Sequence, residues 1–392
     1  MKNEQPLSFE NTSKAFSLKS DKELKKMRFF FSLMKQEIAI KIGSFFLKIA
    51  LRLHFPIKIF LKNTLYVIFC GGETLSEVKN VVNKIEKQGI KVILDYGMEA
   101  GATDKSRTFA FQKVLDAINF SAMQPDTMFA VFKVSALSDV KILEKMQRGE
   151  TLMQQEYLHM EEVKRKINAI GREAMVKKVL VMVDAEETWI QGAIDALVNV
   201  AMMEFNKSKA FIFNTLQCYR KDAIFQLEDL LKLAKKEGFY PGIKLVRGAY
   251  LEKERAKAIE NGNESPLWES KPETDSCFNT ALKMCVNNLE KLSFCMGTHN
   301  EESAIFLTKL MEKNKIDRKD ARVLFAQLYG MSDNITFNLA DAGYNVAKYL
   351  PYGPVKEVIP YLLRRADENK AVRGNTGREL DLIDRELERR HA

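Results

Sequence analysis

The hydrophobic residues of this chain cluster in eight short runs, and stretches with helical spacing separate them. A strand buried on both faces of a parallel sheet appears as an unbroken apolar run, whereas a surface helix repeats its apolar residues every three to four positions. The predicted strands are 92–97, 129–135, 179–184, 211–217, 242–248, 293–298, 323–327 and 345–349. The helices predicted with them are 104–122, 137–149, 151–176, 187–206, 221–238, 272–291, 300–314, 332–342 and 354–370.

Eight strand–helix repeats in strict alternation predict a closed parallel barrel. Right-handed crossovers set successive strands side by side, and eight is the number of strands at which such a sheet closes. The main alternative is an open doubly wound sheet. No Gly-x-Gly-x-x-Gly follows the first predicted strand, so the dinucleotide-binding turn typical of that alternative is missing.

The residues before the first strand predict a different kind of segment. A polar tail over 1–13 precedes helices between Asp21 and Lys62, which we expect to break near Gly43 and at Pro56, and an amphipathic helix follows over 73–88. The chain therefore divides into an N-terminal basic helical segment, a barrel and a charged C-terminal tail, at 1–88, 89–370 and 371–392. Because the tail lacks a wide apolar stripe, we expect a solvated helix or partial disorder there.

Charge is concentrated near the N-terminus. Residues 14–62 contain twelve Lys or Arg against three acids, which accounts for the net charge of +9 of the whole chain. Phenylalanines lie between these cations, and such a segment suits an anionic membrane surface, nucleic acid, or packing as a basic layer on the barrel. No charge-free run approaches the ~20 apolar residues that span a bilayer. The polar start resembles neither a secretory signal nor an Arg/Ser-rich presequence. We therefore expect a bacterial cytoplasmic protein that is peripheral at the inner face of the cell membrane. If the protein is mitochondrial, we expect it at the matrix face of the membrane.

Cysteine and histidine usage argues against disulfides and metals. The 392 residues include five cysteines, an odd number without a Cys-x-x-Cys pair, and four histidines, none at helical ligand spacing from another. This pattern indicates a reducing compartment and predicts no metal site.

Chemically capable side chains lie where the predicted strands end. These side chains are Lys133, Asp184, Gln217, Lys244, Arg247, His299, Gln327 and Tyr349. Parallel barrels keep their active sites at the carboxyl ends of the strands. In the last predicted helix, Tyr361, Arg364 and Glu368 are spaced to share one face, and Arg365 adjoins Arg364. Two adjacent guanidinium groups suit a carboxylate or phosphate, although most arginine pairs on helices are solvated.

Five motifs, in order along the chain, carry a resemblance to a known family. They are Val-Asp-Ala-Glu-Glu at 183–187, Lys-Leu-Val-Arg-Gly-Ala-Tyr at 244–250, Thr-His-Asn at 298–300, Tyr-Leu-Pro-Tyr-Gly at 349–353 and Tyr-x-x-Arg-Arg-x-x-Glu at 361–368. From about residue 90 to 370 the chain resembles proline dehydrogenase, the FAD-dependent enzyme that opens proline catabolism. The resemblance implies an α/β fold, a distorted (βα)8 TIM barrel that holds FAD at the strand ends, with the last barrel helix over the active site.

The resemblance also implies roles for individual residues. Asp184 would anchor the charge network on the substrate side, and Lys244 would lie beside the N5 edge of the flavin. The substrate-binding residues would be Lys133, Arg364 and Arg365 on the carboxylate and Met331, Tyr349 and Tyr361 around the ring. The residues lining FAD would be Ala185, Gln217, Lys244, Arg247, Gly248, Ala249, Thr298 and His299. Bifunctional bacterial relatives carry Arg and Lys at the positions of Lys244 and Arg247, so the two cations are exchanged here.

The implied reaction is oxidation of L-proline to 1-pyrroline-5-carboxylate, with the hydride passing to N5 of FAD and the electrons to a membrane quinone. Pyrroline-5-carboxylate dehydrogenase would then accept the product, and the basic segment 14–62 would contact the membrane. One alternative is hydroxyproline oxidation, but a ring hydroxyl needs space where Tyr349 would press, which favours proline. The alternative from a different class is a barrel that binds nucleic acid or phosphate through its basic segment; we expect no nucleic-acid partner.

Overall fold

The computed structural model describes residues 7–34, 62–97, 103–124, 127–359, 361–362 and 373–392. The strands are β1 (Lys91–Tyr96), β2 (Thr127–Phe132), β3 (Leu180–Val183), β4 (Ile212–Gln217), β5 (Gly242–Val246), β6 (Ser293–Gly297), β7 (Val323–Leu328) and β8 (Val346–Tyr352). The first helices are α1 (Thr12–Ala15), α2 (Asp21–Met34), α3 (Leu75–Glu86), α4 (Asp104–Ala122), α5 (Val140–Gln147), α6 (Gln154–Lys177) and α7 (Thr188–Phe205). The remaining helices are α8 (Ala223–Glu237), α9 (Leu251–Glu260), α10 (Lys271–Asn287), α11 (Glu301–Lys313), α12 (Asp333–Asp341) and α13 (Arg373–His391).

The eight strands form a closed barrel in the order in which they occur along the chain. The pairings from β2 to β6 are parallel, and the register places Lys244 of β5 opposite Thr215 of β4 and Cys295 of β6. The predicted barrel is therefore confirmed, and the open doubly wound alternative is wrong. Shorter helical turns occupy Lys62–Tyr66, Val67–Phe69 and Val134–Ala136.

Residues 93–325 form one of two compact units. Its core is made where the inward faces of α4, α6 and α7 meet the strands, as Ile118, Ile167 and Ile194 pack with Val181 of β3. Each of these four side chains is less than a twentieth exposed. This is the arrangement that the unbroken apolar runs predicted, because both faces of each strand are covered.

The second unit contains residues 1–92 and 326–392. Here α2 packs against α13, and Leu24 and Phe31 share a core with Leu382 and Ile383. Of the two expectations for the C-terminal tail, a helix is found, since α13 has 19 residues. The expectation that this helix would be solvated is wrong, because Leu382 and Ile383 are fully buried. A narrow apolar stripe is sufficient to hold α13 in place because α2 covers it. The charge of the buried Glu386 is neutralised by arginines of the same helix.

Several predictions concern the ends of the chain. The helix predicted to begin at Asp21 is confirmed as α2, whereas residues 35–61, with the predicted breaks near Gly43 and at Pro56, lie outside the described residues. Within the described ranges, none of the helices combines the length and apolar character that a bilayer crossing needs. All five cysteines are buried free thiols. In the same described residues, no group of His, Cys, Asp and Glu is arranged to hold a metal ion.

Candidate active site

Polar residues collect at the carboxyl ends of the strands in the unit formed by 93–325. Lys133 directly follows β2, Asp184 directly follows β3, and Gln217 ends β4. Lys244 is the middle residue of β5, whose sequence is Gly-Ile-Lys-Leu-Val. Thr298 directly follows β6. The parallel register carries these side chains to one end of neighbouring strands, where barrel enzymes have their active sites.

An ion pair between Lys244 and Asp184 lies at this end of the sheet. The Nζ atom of Lys244 donates a hydrogen bond to Oδ1 of Asp184, and the two side chains are only 8% and 17% exposed. Asp184 is positioned by its main-chain N–H, which donates to the carbonyl oxygen of Phe132 at 3.0 Å. Because both charges are shielded from water, removal of either partner would weaken the charge compensation of the other.

Lys133 is a second cation of this unit, and it is partly buried. Burial by itself lowers the pKa of Lys133, but Tyr250, Asp95, Asp184 and Glu186 together raise it above its ordinary value. The amine therefore stays protonated across the physiological pH range, as a group that binds a carboxylate must.

Glu186 fixes the segment that follows β3. The residue is 3% exposed, and its carboxylate accepts hydrogen bonds from the N–H of Ser135, at 3.0 Å, and from the Ser135 hydroxyl. Burial raises the pKa of Glu186, and the Ser135 hydrogen bonds partly offset this effect. The main chain of Glu186 is held too, since its N–H donates to Oε1 of Gln191 at 2.7 Å and its carbonyl accepts from Nε2 of Gln217 at 2.8 Å. Gln217, predicted to line the cofactor, thus also holds the strand end.

Arg247 follows β5 and is oriented by three side chains. Its Nε donates to Oδ1 of Asp275 at 2.6 Å, Nη1 donates to Oγ1 of Thr298 at 2.5 Å, and Nη2 donates to Oγ of Ser303 at 3.0 Å. The guanidinium carbon lies 4.4 Å from the centre of the Phe278 ring. A guanidinium group has five N–H donors, so one donor remains on each terminal nitrogen for a further acceptor.

The N-terminus of α11 lies next to this arginine. Asn300 caps the helix by accepting from the N–H of Ser303 at 2.7 Å, and its own N–H donates to Oγ1 of Thr298 at 3.1 Å. His299, between them, is partly buried. The N-terminus of a helix, here one of 13 residues, is a position that suits a phosphate. Ala185, Gly248 and Ala249, the other predicted cofactor residues, lie in the loops after β3 and β5.

The predicted walls of the substrate ring belong to the unit formed by 1–92 and 326–392. Met331 lies in the loop between β7 and α12, Tyr349 lies in β8, and Tyr361 lies in the helical segment that follows β8. All three are buried, at 6%, 8% and 4% exposed. The predicted carboxylate ligands Arg364 and Arg365 lie outside the described residues.

The sequence did not predict several residues that organise the strand ends of the first unit and the loop after β7 in the second. Tyr250 and Glu186 belong to the motifs at 244–250 and 183–187, but neither was predicted to have a role in the site. Lys348 forms a buried ion pair with Asp333 at 2.7 Å, and the only sign of it was a lysine in an otherwise apolar strand. Asp275 had no sequence signal, because it lies 28 positions from the arginine that it holds.

A closed eight-stranded parallel barrel with paired charges at the carboxyl ends of its strands defines the class of (βα)8-barrel proteins with a site at that end. A family model described as proline dehydrogenase matches residues 78–378, which is more than half of the chain. The chain belongs to the proline dehydrogenase family, as the five motifs predicted.

Individual proteins are similar to this chain over most of its length. The carbapenem antibiotics biosynthesis protein CarD of Pectobacterium carotovorum subsp. carotovorum is 35% identical, over 82% of this chain and 84% of its own. The hydroxyproline dehydrogenase of Xenopus laevis is 32% identical, over 84% of this chain and 78% of its own. Among solved structures, proline utilization A (PutA) from Bdellovibrio bacteriovorus, inactivated by N-propargylglycine, matches 94% of this chain with a TM-score of 0.71. This chain covers 39% of that protein, and at 21% identity the likeness shows the fold.

Proposed function

We propose that this chain is an FAD-dependent proline dehydrogenase that oxidises L-proline to 1-pyrroline-5-carboxylate. The observation that carries the proposal is the group of Lys133, Asp184 and Lys244 at the carboxyl ends of the strands, in a chain that belongs to this family. Oppositely charged groups at the rim of a barrel suit a small amino acid, which carries charges of both signs and needs few polar contacts for orientation.

Under this proposal Lys133 binds the substrate carboxylate together with Arg364 and Arg365. The raised pKa of Lys133 supports this role, because the amine keeps its charge without help from a ligand. Three cations on one carboxylate would fix the direction of the ring, and bidentate guanidinium contacts would add geometric selectivity.

Met331, Tyr349 and Tyr361 would supply the apolar wall of the ring site. Their burial supports this assignment, since a side chain that is already packed loses little entropy when a ligand contacts it. Close apolar contact also excludes water from the reacting carbon.

The residues present fit an FAD cofactor. Those that we assign to it are Ala185, Gln217, Lys244, Arg247, Gly248, Ala249, Thr298 and His299. Arg247 retains N–H donors beyond those that its protein partners use, and the capped N-terminus of α11 is suited to the pyrophosphate. When bound, FAD would supply the acceptor for a hydride from the ring carbon next to nitrogen.

The chain's own side chains then act mainly by orientation. Formation of the cyclic imine removes a hydride from the ring carbon and a proton from nitrogen, and it needs no strong base once the amine is neutral. Holding the ring in a reactive orientation can therefore supply much of the rate. The Lys244 charge, fixed by Asp184, would stabilise negative charge that develops beside it.

Purified protein tests the proposal directly. Anaerobic addition of L-proline should bleach a flavin absorbance band, and one equivalent of cyclic imine should appear for each flavin reduced. A protein that binds FAD but is not reduced by L-proline or hydroxyproline would refute the assignment. A colourless protein that binds no FAD and retains DNA would support the nucleic-acid alternative instead.

The arginine pair gives a second test of the substrate. Arg364→Ala and Arg365→Ala should each raise the KM for L-proline by about 10- to 100-fold, the loss expected for hydrogen bonds between charged groups. Arg172→Ala, at an exposed position of α6, is the matched control and should leave KM unchanged. Normal KM values in both pair variants would remove these residues from the site.

Hydroxyproline oxidation is the second candidate, because the chain is similar to a hydroxyproline dehydrogenase over 84% of its length. Tyr349 argues for proline, since a bulky buried ring leaves little room for an added hydroxyl. The ratio of kcat/KM for the two substrates decides between them, and a ratio in favour of hydroxyproline would reverse the assignment.

We further propose that the electrons pass to a membrane quinone at the cytoplasmic face of the membrane, or at the matrix face of a mitochondrion. Lys22, Lys25, Lys26 and Phe29 of α2 support membrane contact, since all four are exposed on one helix and Phe29 is 67% exposed. Changing the three lysines to glutamate should abolish binding to anionic vesicles without changing dye-linked activity. Unchanged vesicle binding would contradict the proposed membrane contact.

Pyrroline-5-carboxylate dehydrogenase would be the protein that consumes the product.

A further inference from the structure

The loop between β7 and α12, which carries Met331, is held by two buried ions of opposite charge. The Nζ atom of Lys348 donates to the carbonyl oxygens of Met331, at 2.6 Å, and of Leu328, at 3.4 Å. On the other side, a carboxylate oxygen of Glu379 in α13 accepts from the main-chain N–H of Ser332. Lys348 is 1% exposed and Glu379 is 5% exposed.

These two contacts act on a single peptide group. The carbonyl of Met331 and the N–H of Ser332 are opposite ends of the same planar unit, so a cation binds its negative end and an anion binds its positive end. The plane cannot rotate without breaking one of the contacts. The direction of the Met331 side chain depends on that plane.

The loop needs such support because one of its residues is in an unusual backbone conformation. Ser332 has a φ of 49°, in the left-handed region that a serine rarely adopts, whereas the φ of 80° at Gly330 is one that glycine adopts without strain. Conformations of this kind persist where the surroundings over-determine them. Asp333 adds a further contact, since its Oδ1 lies 2.7 Å from Nζ of Lys348 and keeps the charge of that buried amine compensated.

Part of this support comes from outside the region that the family model matches. That match ends at residue 378, one position before Glu379. Lys19, which precedes the match, lies with Nζ 5.2 Å from the centre of the Tyr329 ring in the same loop. The helix that carries Glu379 is anchored by its packing on α2, so the two ends of the chain meet at this loop.

We propose that Glu379 and Lys348 are positioning residues that orient Met331 in the wall of the substrate site. The inference rests on the proposed function for the identity of the substrate, but the geometry of the loop stands without it. Loss of the Glu379 contact would free the peptide plane, let Met331 turn away from the ring and weaken binding of L-proline more than it slows the reaction.

The test compares Glu379→Ala with Glu386→Ala on the same helix. Both remove a buried carboxylate, but Glu386 contacts Arg389 and Arg390 rather than the loop. Glu379→Ala should raise the KM for L-proline about tenfold, the lower end of what loss of a hydrogen bond to a charged group costs, with kcat changed less than about twofold. Glu386→Ala should lower thermal stability and leave KM unchanged. Glu379→Gln keeps an acceptor oxygen and should restore most of the wild-type KM.

Hydrogen exchange supplies a readout that does not depend on activity. Amides of 328–336 should exchange at least about tenfold faster in Glu379→Ala, and no faster in Glu386→Ala, because only the first loses a direct bond to this main chain. Unchanged exchange or unchanged KM in Glu379→Ala would overturn the inference, as would equal KM changes in both variants. If FAD-loaded wild-type protein oxidises neither substrate, the proposed function fails, and the exchange data still report whether Glu379 anchors the loop.

Discussion

Replacing Asp275 by asparagine tests whether Arg247 must be fixed by a counter-charge in order to serve a cofactor. One carboxylate oxygen of Asp275 accepts from Arg247 at 2.6 Å, and the other accepts from Lys271 at 2.6 Å. Arg247 is 21% exposed and Lys271 is 53% exposed, so the contact with the arginine is the better shielded of the two. Asparagine keeps an acceptor oxygen but removes the charge.

The expected magnitude follows from these exposures. A hydrogen bond to a charged group contributes about 1.5–3 kcal/mol to the free energy of unfolding. Because both partners are partly exposed, we expect this bond to contribute about 1.5 kcal/mol. We expect the free energy of unfolding to fall by about that amount. The affinity for FAD should fall about tenfold, because a guanidinium that can rotate no longer presents its remaining N–H donors in one direction.

The pH dependence has a definite sign. Burial acts to raise the pKa of Asp275, but hydrogen bonds from Lys271 and Arg247 outweigh it and hold the pKa below the ordinary value of 3.8. A carboxyl whose pKa is lower in the folded state stabilises the fold fully above its unfolded-state pKa, and this contribution is lost as the pH falls through the folded-state value. The stability difference between wild type and variant should therefore be constant above about pH 5 and shrink below about pH 4.

FAD titration followed by flavin fluorescence and urea unfolding at several pH values measure these effects. Lys271→Met is the matched control, since it removes the more exposed partner of the same carboxylate and should change FAD affinity less than about twofold. Wild-type FAD affinity in Asp275→Asn would refute the reasoning, and so would an equal loss in Lys271→Met.

Two further predictions concern the unit formed by the ends of the chain. Hydrogen bonds, first from Arg389, lower the pKa of the buried Glu386 from 4.5 to about 2. In thermal melts Glu386→Gln should therefore be less stable than wild type above about pH 5, and the difference should be lost as the pH falls towards 2. A stability difference that does not vary with pH would contradict this prediction. The pKa change sets an upper limit of about 3 kcal/mol, which the exposure of Arg389 reduces. Gly330→Ala should destabilise the protein more than Gly343→Ala in urea unfolding. A Cβ at 330 would lie 2.2 Å from the carbonyl oxygen of Ile68, whereas 343 has open space, and both glycines have a φ near 80°. Equal losses of unfolding free energy would show that only the φ matters.

Local pattern was sufficient for the elements and their order. The helix predicted over 104–122 has the same limits as α4, and its start is fixed by reciprocal capping between Thr103 and Ser106, a signal that lies within four residues. Apolar runs identified the eight strands because a strand buried on both faces cannot alternate. The resemblance to the family depended on motifs at the strand ends, and the family match confirmed it.

The partners of the charged groups could not be predicted in the same way. Arg247 meets Asp275, Lys348 meets Asp333, and Ser332 meets Glu379, at separations of 28, 15 and 47 positions. The sequence by itself determined which segments become strands and helices and that polar residues follow the strands, since those signals repeat over a few positions. Only the tertiary structure decided which charges pair and that one face of α13 is buried. These contacts form when the barrel closes and distant helices pack, and side-chain periodicity carries no information across that distance.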